Sequence, residues 1–272
     1  MIFLSVNPTS FAQNTDSITT NKKDPFQILL KHKIAGRFKT FNIDILDNIY
    51  VITSSNQLKE YNEKGDSIAY IKDFVKYGLP SIIDVTNPQK IILFYKNYSS
   101  IAILDRFLQT STVLSLRKKN WSYVTAVTNS YDNNIWVLDE QDFKIKKINT
   151  ELELLAESND IRLLTGIAPS TSQIFDNNNE VILYDLNSGF FIFDYYGAYK
   201  NRLPFLKWNN VGVYKKTLYG FSENRLFLYN RESLQLKEIV LPDYFKNYLD
   251  IKTANGKLYL LKQDGIEVYY LK

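Results

Sequence analysis

The 272-residue chain contains no cysteine, one histidine and one methionine. Without cysteine there is no disulfide, no thiol nucleophile, no haem attachment and no Cys/His zinc site. No run approaches the roughly 20 apolar residues that span a bilayer as a helix. Charge of one sign is also scarce: 33 Lys+Arg against 29 Asp+Glu leave a net +4. That excess is too small to imply nucleic acid by itself. Phosphate-cradling loops of the G-x-x-x-x-G-K-[ST] and G-x-G-x-x-G kinds are missing. Any chemistry here must come from carboxylates, Tyr, Lys, Ser or Thr. What the chain does have is apolar mass, at 45% hydrophobic and 15% aromatic residues, enough for a packed core.

The first thirteen residues, ending Ser10-Phe11-Ala12-Gln13, have a short apolar stretch before a small-x-small cleavage pattern. They read as a shortened secretory signal. Residues 14–25 read as a polar, flexible leader, and 26–272 as one domain. No cysteine follows the cleavage pattern, so no lipoprotein anchor is expected. Export to a periplasm or cell envelope is the expected location.

A repeat runs through the rest of the chain. Apolar β-type runs begin at Asn48, Lys90, Asn134, Glu180, Thr217 and Lys257, spaced 42, 44, 46, 37 and 40 residues apart. Five of the six are preceded by Asn, Asp, Gly or Pro, residues suited to tight turns. A second run follows each, at Leu58–Tyr61, Ile101–Leu104, Ile145–Ile148, Phe190–Phe193, Leu226–Tyr229 and Ile266–Tyr269. Five of these end in Asn62, Asp105, Asn149, Asp194 or Asn230, which suit the next hairpin turn. A weaker strand precedes each first run, and a fourth strand follows in five repeats. The predicted fold is therefore all-β: a six-bladed propeller of four-stranded blades. The sixth repeat lacks a fourth strand, and Phe26–Ile34 is the segment predicted to supply it and close the ring. Ile71–Leu79 could hold a short helical turn.

With phrases such as D-N-N-I-W-V-L-D-E-Q-D-F-K-I-K-K-I from Asp132, the chain resembles six-bladed propellers of the NHL and TolB-like kind. That resemblance speaks to fold and leaves function open, because the architecture hosts enzymes, receptors and scaffolds. The Lys-, Asn- and Tyr-rich composition also looks like that of Gram-negative envelope propellers.

Candidate sites fall into three groups. His32 lies in the closing strand and reads as a solvated rim residue, a poor centre for a Ser-His-Asp arrangement. Asp44, Asp84 and Asp250 lie in or beside innermost strands, where their oxygens could hold Ca²⁺ or a small ligand such as a carbohydrate. Their plainer reading is strand-end capping, since no D-x-D-x-D-G loop accompanies them. The connections between blades share one face and combine aromatics with cations: Lys76 and Tyr77, then Lys118, Lys119 and Trp121, then Lys207 and Trp208, then Tyr244 and Lys246. Such a face suits another protein, although loop aromatics also wedge between blades. RNA is the weaker partner, given the modest charge and expected export. The leading expectation is thus a non-catalytic exported scaffold that meets another envelope protein, as a monomer or within a hetero-complex. A ligand-binding or metal-dependent propeller is the alternative.

Overall fold

A computed structural model describes residues 28–72, 78–171, 173–177, 179–245 and 247–271. The expected signal segment and leader, together with Phe26, Lys76, Tyr77 and Lys246, lie outside the described residues. So does the middle of the expected helical turn before Leu79.

Six four-stranded antiparallel sheets account for the described chain. Strand β1 (Ile28–Ala35) comes first and belongs to the last sheet. The first blade is β2 (Phe38–Ile43), β3 (Ile49–Thr53), β4 (Leu58–Tyr61) and β5 (Ser67–Ile71). The second is β6 (Ile82–Asp84), β7 (Ile91–Tyr95), β8 (Ser100–Leu104) and β9 (Thr110–Ser115). The third is β10 (Val124–Asn129), β11 (Ile135–Asp139), β12 (Lys144–Ile148) and β13 (Leu154–Glu157). A five-residue helix, α1 (Ile161–Thr165), leads to β14 (Gln173–Asp176), β15 (Glu180–Asp185), β16 (Gly189–Asp194) and β17 (Tyr199–Leu203) of the fourth blade. The fifth is β18 (Asn209–Tyr214), β19 (Thr217–Ser222), β20 (Arg225–Asn230) and β21 (Gln235–Val240). The sixth is β22 (Asp250–Ala254), β23 (Lys257–Lys262) and β24 (Gly265–Leu271), completed by β1. β1 runs antiparallel to β24, from Ile28 opposite Leu271 to Ala35 opposite Gly265. The expected closure by the N-terminal strand is the one the sheet adopts.

The hairpin residues explain the repeat. In four blades the side-chain oxygen at the end of the third strand accepts the backbone N–H groups two and four residues on. Asn62 takes Lys64 and Asp66, Asp105 takes Phe107 and Gln109, Asn149 takes Glu151 and Glu153, and Asp194 takes Tyr196 and Ala198. Asn230 in the fifth blade takes Glu232 and Ser233, two and three residues on. A short carbonyl-bearing side chain satisfies the orphaned turn amides, which is why Asn or Asp recurs there.

The core lies between the blades. One apolar cluster packs Tyr50 and Leu58 of the first blade against Ile91 and Leu93 of the second. Another joins Ile92 and Phe94 to Val127 and Val137, and a third joins Trp136 and Leu138 to Leu183 and Phe191. The fourth and fifth blades meet at Ile182, Phe190, Trp208 and Leu218, and the fifth and sixth at Phe221, Phe245, Ile251 and Leu260. The last seam sets Ile34, Tyr259 and Val268 against Phe41 and Val51. Because second and third strands are packed on both faces, β3, β7, β8 and β11 are buried throughout and read as unbroken apolar or mixed runs. Each fully buried aliphatic or aromatic side chain contributes roughly 1.5–3 kcal/mol. An open ring would expose one such interface.

Candidate functional site

In a four-stranded meander the second-to-third hairpin and the connection to the next blade lie at the same end. The backbone confirms this pairing: Lys207 N donates to Leu186 O over 2.8 Å, and Leu116 N to Ser99 O over 2.8 Å. Arg117 Nη2 reaches Asn97 O at 3.0 Å. These loops together form one face of the ring.

That face carries a series of large apolar side chains in solvent. Leu79 precedes the second blade, and Tyr98 sits in its second-to-third hairpin. Tyr123 leads into the third blade, and Leu163 and Leu164 lie on α1. Leu186 and Leu206 follow around the fourth blade, and Tyr244 and Leu249 stand before the sixth. Leu163 is 86% exposed and Tyr123 65%. Arg117, Lys118, Lys119 and Lys207 are exposed among them. The opposite hairpins expose Ile45, Leu46, Phe107, Tyr131, Tyr196 and Leu234 as well, so large apolar side chains stand in solvent on both faces.

The expected aromatics divide. Tyr244 is 53% exposed and leans on Phe245 and Tyr269, with ring centres 4.4 and 6.4 Å away. Lys118 and Lys119 are exposed at the end of a 3-10 turn closed by Asn120 in the left-handed region. Trp121 is half-buried against the second-to-third blade core, with Lys146 Nζ 5.8 Å from its ring. Trp208 is only 5% exposed, stacked between Phe205 at 4.7 Å and Phe227 at 5.2 Å. Its backbone N–H also donates to Tyr184 Oη at 2.7 Å. Trp208 is therefore a wedge between the fourth and fifth blades, so its ring is removed from the docking set. Lys207 Nζ is engaged by Asn187 Oδ1 while remaining exposed. The leucines of the face escaped an expectation built on aromatics and cations. Their signal was apolar residues inside polar loops, as in the R-L-L-T of α1.

The inner carboxylates do not come together. Asp44 caps its own hairpin, taking Leu46 N, Asn48 N and Asn48 Nδ2 at 2.8–2.9 Å. Asp84 takes Thr86 N and Oγ1 on one oxygen, and Thr128 Oγ1 and Asn129 N of the third blade on the other. Tyr50 Oη also lies 3.4 Å from Asp44 Oδ2, so protein donors surround both carboxylates. Among the described residues no group of three or more His, Asp or Glu is placed to hold a metal. Asp44 and Asp84 thus cap strand ends, and the alternative calcium set of Asp44, Asp84 and Asp250 is not gathered into one group among the described residues.

Asp250 differs. It faces the central channel, a cavity of about 370 Å³ to which all six innermost strands contribute. Its Oδ1 accepts Ile251 N at 2.8 Å, and its Oδ2 lies 3.9 Å from Lys252 Nζ. Lys252 in turn donates to Asn42 Oδ1 at 2.6 Å, and Asn42 Nδ2 donates to Ile83 O at 2.9 Å. Burial raises the Asp250 carboxyl, against Lys252 and the Ile251 amide. Burial also lowers the Lys252 ammonium, against Asp250.

His32 lies on β1, the outer strand of the sixth blade, and is half-buried there, with Nε2 enclosed and without a hydrogen-bond partner among the described residues. The expected solvated imidazole is thus corrected: Gly65 of the neighbouring blade packs beside it. Burial, then Lys31 and Lys257, lowers its pKa, and Glu63 opposes them.

No family model matches the chain, and no curated protein matches it by sequence. Solved structures do share its fold. A streptogramin B lyase aligns with 85% of this chain and 78% of its own, at 15% identity and a TM-score of 0.57. A catalytically inactive histidine-to-alanine variant of virginiamycin B lyase from Staphylococcus aureus, with quinupristin, aligns with 90% of this chain and 88% of its own, at 14% identity and 0.56. PorZ, a bacterial surface component of the type-IX secretion system of Porphyromonas gingivalis, aligns with 86% of this chain and 32% of its own, at 10% identity and 0.54. At these identities the likeness is one of fold. Among the described residues no helix is long and apolar enough to cross a membrane.

Proposed function

We propose that this chain is a non-catalytic propeller that docks another protein in the bacterial cell envelope through its inter-blade loop face. The observation that carries the reading is the set of solvent-exposed apolar side chains on that face, from Leu79 round to Leu249, with cations between them. Burying such residues against a partner gains the area that a monomer leaves in water, while the neighbouring cations set orientation. Fold likeness to PorZ supports the envelope setting, as does the small-x-small pattern Ser10-Phe11-Ala12. Further membership of the NHL or TolB-like groups belongs to the same proposal.

The lyase reading is the weaker one. The histidine-to-alanine lyase variant is catalytically inactive, whereas the one histidine here sits on the outermost strand of its blade, away from the channel.

Affinity capture from detergent-solubilised native envelope tests the proposal. A protein retained by the full chain, and lost when Tyr123, Leu163 and Tyr244 are changed together to Asp, supports it. Tyr196→Asp and Tyr214→Asp, on the opposite hairpins, serve as the control and must leave capture intact. Equal loss with both sets, or no retained protein, refutes the loop face as the docking surface.

A further inference from the structure

The charged groups lining the channel are unequal in what they have left to offer. Asp84 is saturated by four donors, as described above. Lys252 carries three N–H donors and gives one to Asn42 Oδ1. Asn42 is fixed in turn by Ile83 O of the next blade, so the ammonium is held from behind by a locked amide. Among the described residues Asp250 receives only its neighbour's amide within hydrogen-bond distance. The Lys252–Asp250 separation of 3.9 Å is too long for a direct hydrogen bond. It leaves room for one oxygen about 2.8 Å from both, accepting from Nζ and donating to Oδ2. A hydroxyl does both at once; a carboxylate only accepts, and an ammonium only donates.

Other unused polar groups face the same cavity. No described residue engages the Thr40 hydroxyl or the side-chain amides of Gln173 and Asn210. An amide presents a donor and an acceptor side by side, the pattern that matches adjacent hydroxyls. Phe175 adds an apolar ring to the wall and lines the adjoining cavity of about 280 Å³ as well. The larger cavity holds roughly a dozen water volumes, enough for a sugar ring with its hydroxyls.

We propose that the channel binds a small neutral polyhydroxylated ligand of monosaccharide size, one hydroxyl of which bridges Lys252 and Asp250 while its neighbours meet Gln173 and Asn210. The group that bridges them is neutral, because the Lys252 ammonium and the Asp250 carboxylate balance each other and Asp84 is taken up by its four donors.

Saturation-transfer NMR on the full chain tests the site, using D-glucose, D-galactose, D-mannose and N-acetyl-D-glucosamine as probes and glycine and acetate as charged controls. The expected result is transfer to at least one sugar, with affinity falling about tenfold or more in Asp250→Asn and Lys252→Met, as when one partner of an enclosed polar contact is removed. Asn210→Ala leaves both charges in place and must also weaken binding, so it decides the matter if the charge variants do not fold. No transfer to any sugar overturns the proposal, as does transfer to glycine or acetate alone. Unchanged sugar transfer in the folded Asp250→Asn and Asn210→Ala variants overturns it too.

Discussion

Tyr259 donates its hydroxyl to Asp47 Oδ1 over 3.0 Å, joining the last blade to the first across 212 sequence positions. The same carboxylate accepts Asn255 Nδ2 at 2.9 Å and Lys257 Nζ at 2.5 Å. Lys257 and Lys31 both reach Glu63 Oε1. Polar contacts thus fasten the seam that β1 completes, above the apolar layer of Ile34, Phe41 and Val268.

Asp47→Ala leaves a buried tyrosine hydroxyl and a nearly buried ammonium without their main acceptor. The variant is expected to lose about 2–4 kcal/mol, read as a lower urea midpoint at unchanged slope. Burial pushes the Asp47 carboxyl up, but hydrogen bonds from Lys257, Asn255 and Tyr259 hold it below its ordinary 3.8. A depressed carboxyl contributes stability that is present above 3.8 and is lost as pH falls through the folded value. The gap between wild type and variant therefore narrows in strong acid. A constant gap would contradict the assignment.

His32 gives a second acid-side loss, at higher pH than that of Asp47. Its folded pKa is below the ordinary 6.5, first because of burial and then because of Lys31 and Lys257. The unfolded chain takes the proton more readily, so stability is complete above 6.5 and declines as pH falls through the window beneath it. His32→Gln should flatten the urea midpoint across that window. Parallel curves for the two proteins would exclude His32 as the group responsible.

Trp208→Ala removes the ring held between Phe205 and Phe227. The expected cost is about 3–5 kcal/mol, seen as a lowered melting temperature. Captured protein per folded molecule should be unchanged. A selective loss of capture without loss of stability would return Trp208 to the docking surface.

Gly189 opens β16 at φ +88°, and a Cβ there would stand 2.3 Å from Leu203 O, a backbone atom with little freedom to retreat. Gly189→Ala is expected to destabilise by about 1–3 kcal/mol, measured by urea unfolding. A neutral effect would mean that β17 can shift away from β16.

The blades were legible because their signals are local. Runs such as Lys90–Phe94 and the Asn or Asp at positions 62, 105, 149, 194 and 230 report a strand and its turn without reference to anything distant. The site residues were less so, because exposure depends on the neighbouring blade. Trp208 sits in a connecting loop beside Lys207 and Asn209, yet Phe227, from a strand of the fifth blade, covers it. Asp84 resembled a ligand until Thr128 and Asn129 of the third blade filled its second oxygen. Lys252 carried a readable cue: two residues after Asp250, on the same strand face, it shares the channel wall. The leucines of the loop face went unread because attention to aromatics and cations passes over aliphatic side chains.

Hydrogen exchange on the complex with the captured envelope protein tests docking most directly. The account predicts slowed exchange at the amides of 116–123, 161–166 and 241–245, with the opposite hairpins at 62–66 and 195–198 unaffected. Protection confined to those opposite hairpins, or to the outer strands, would contradict it.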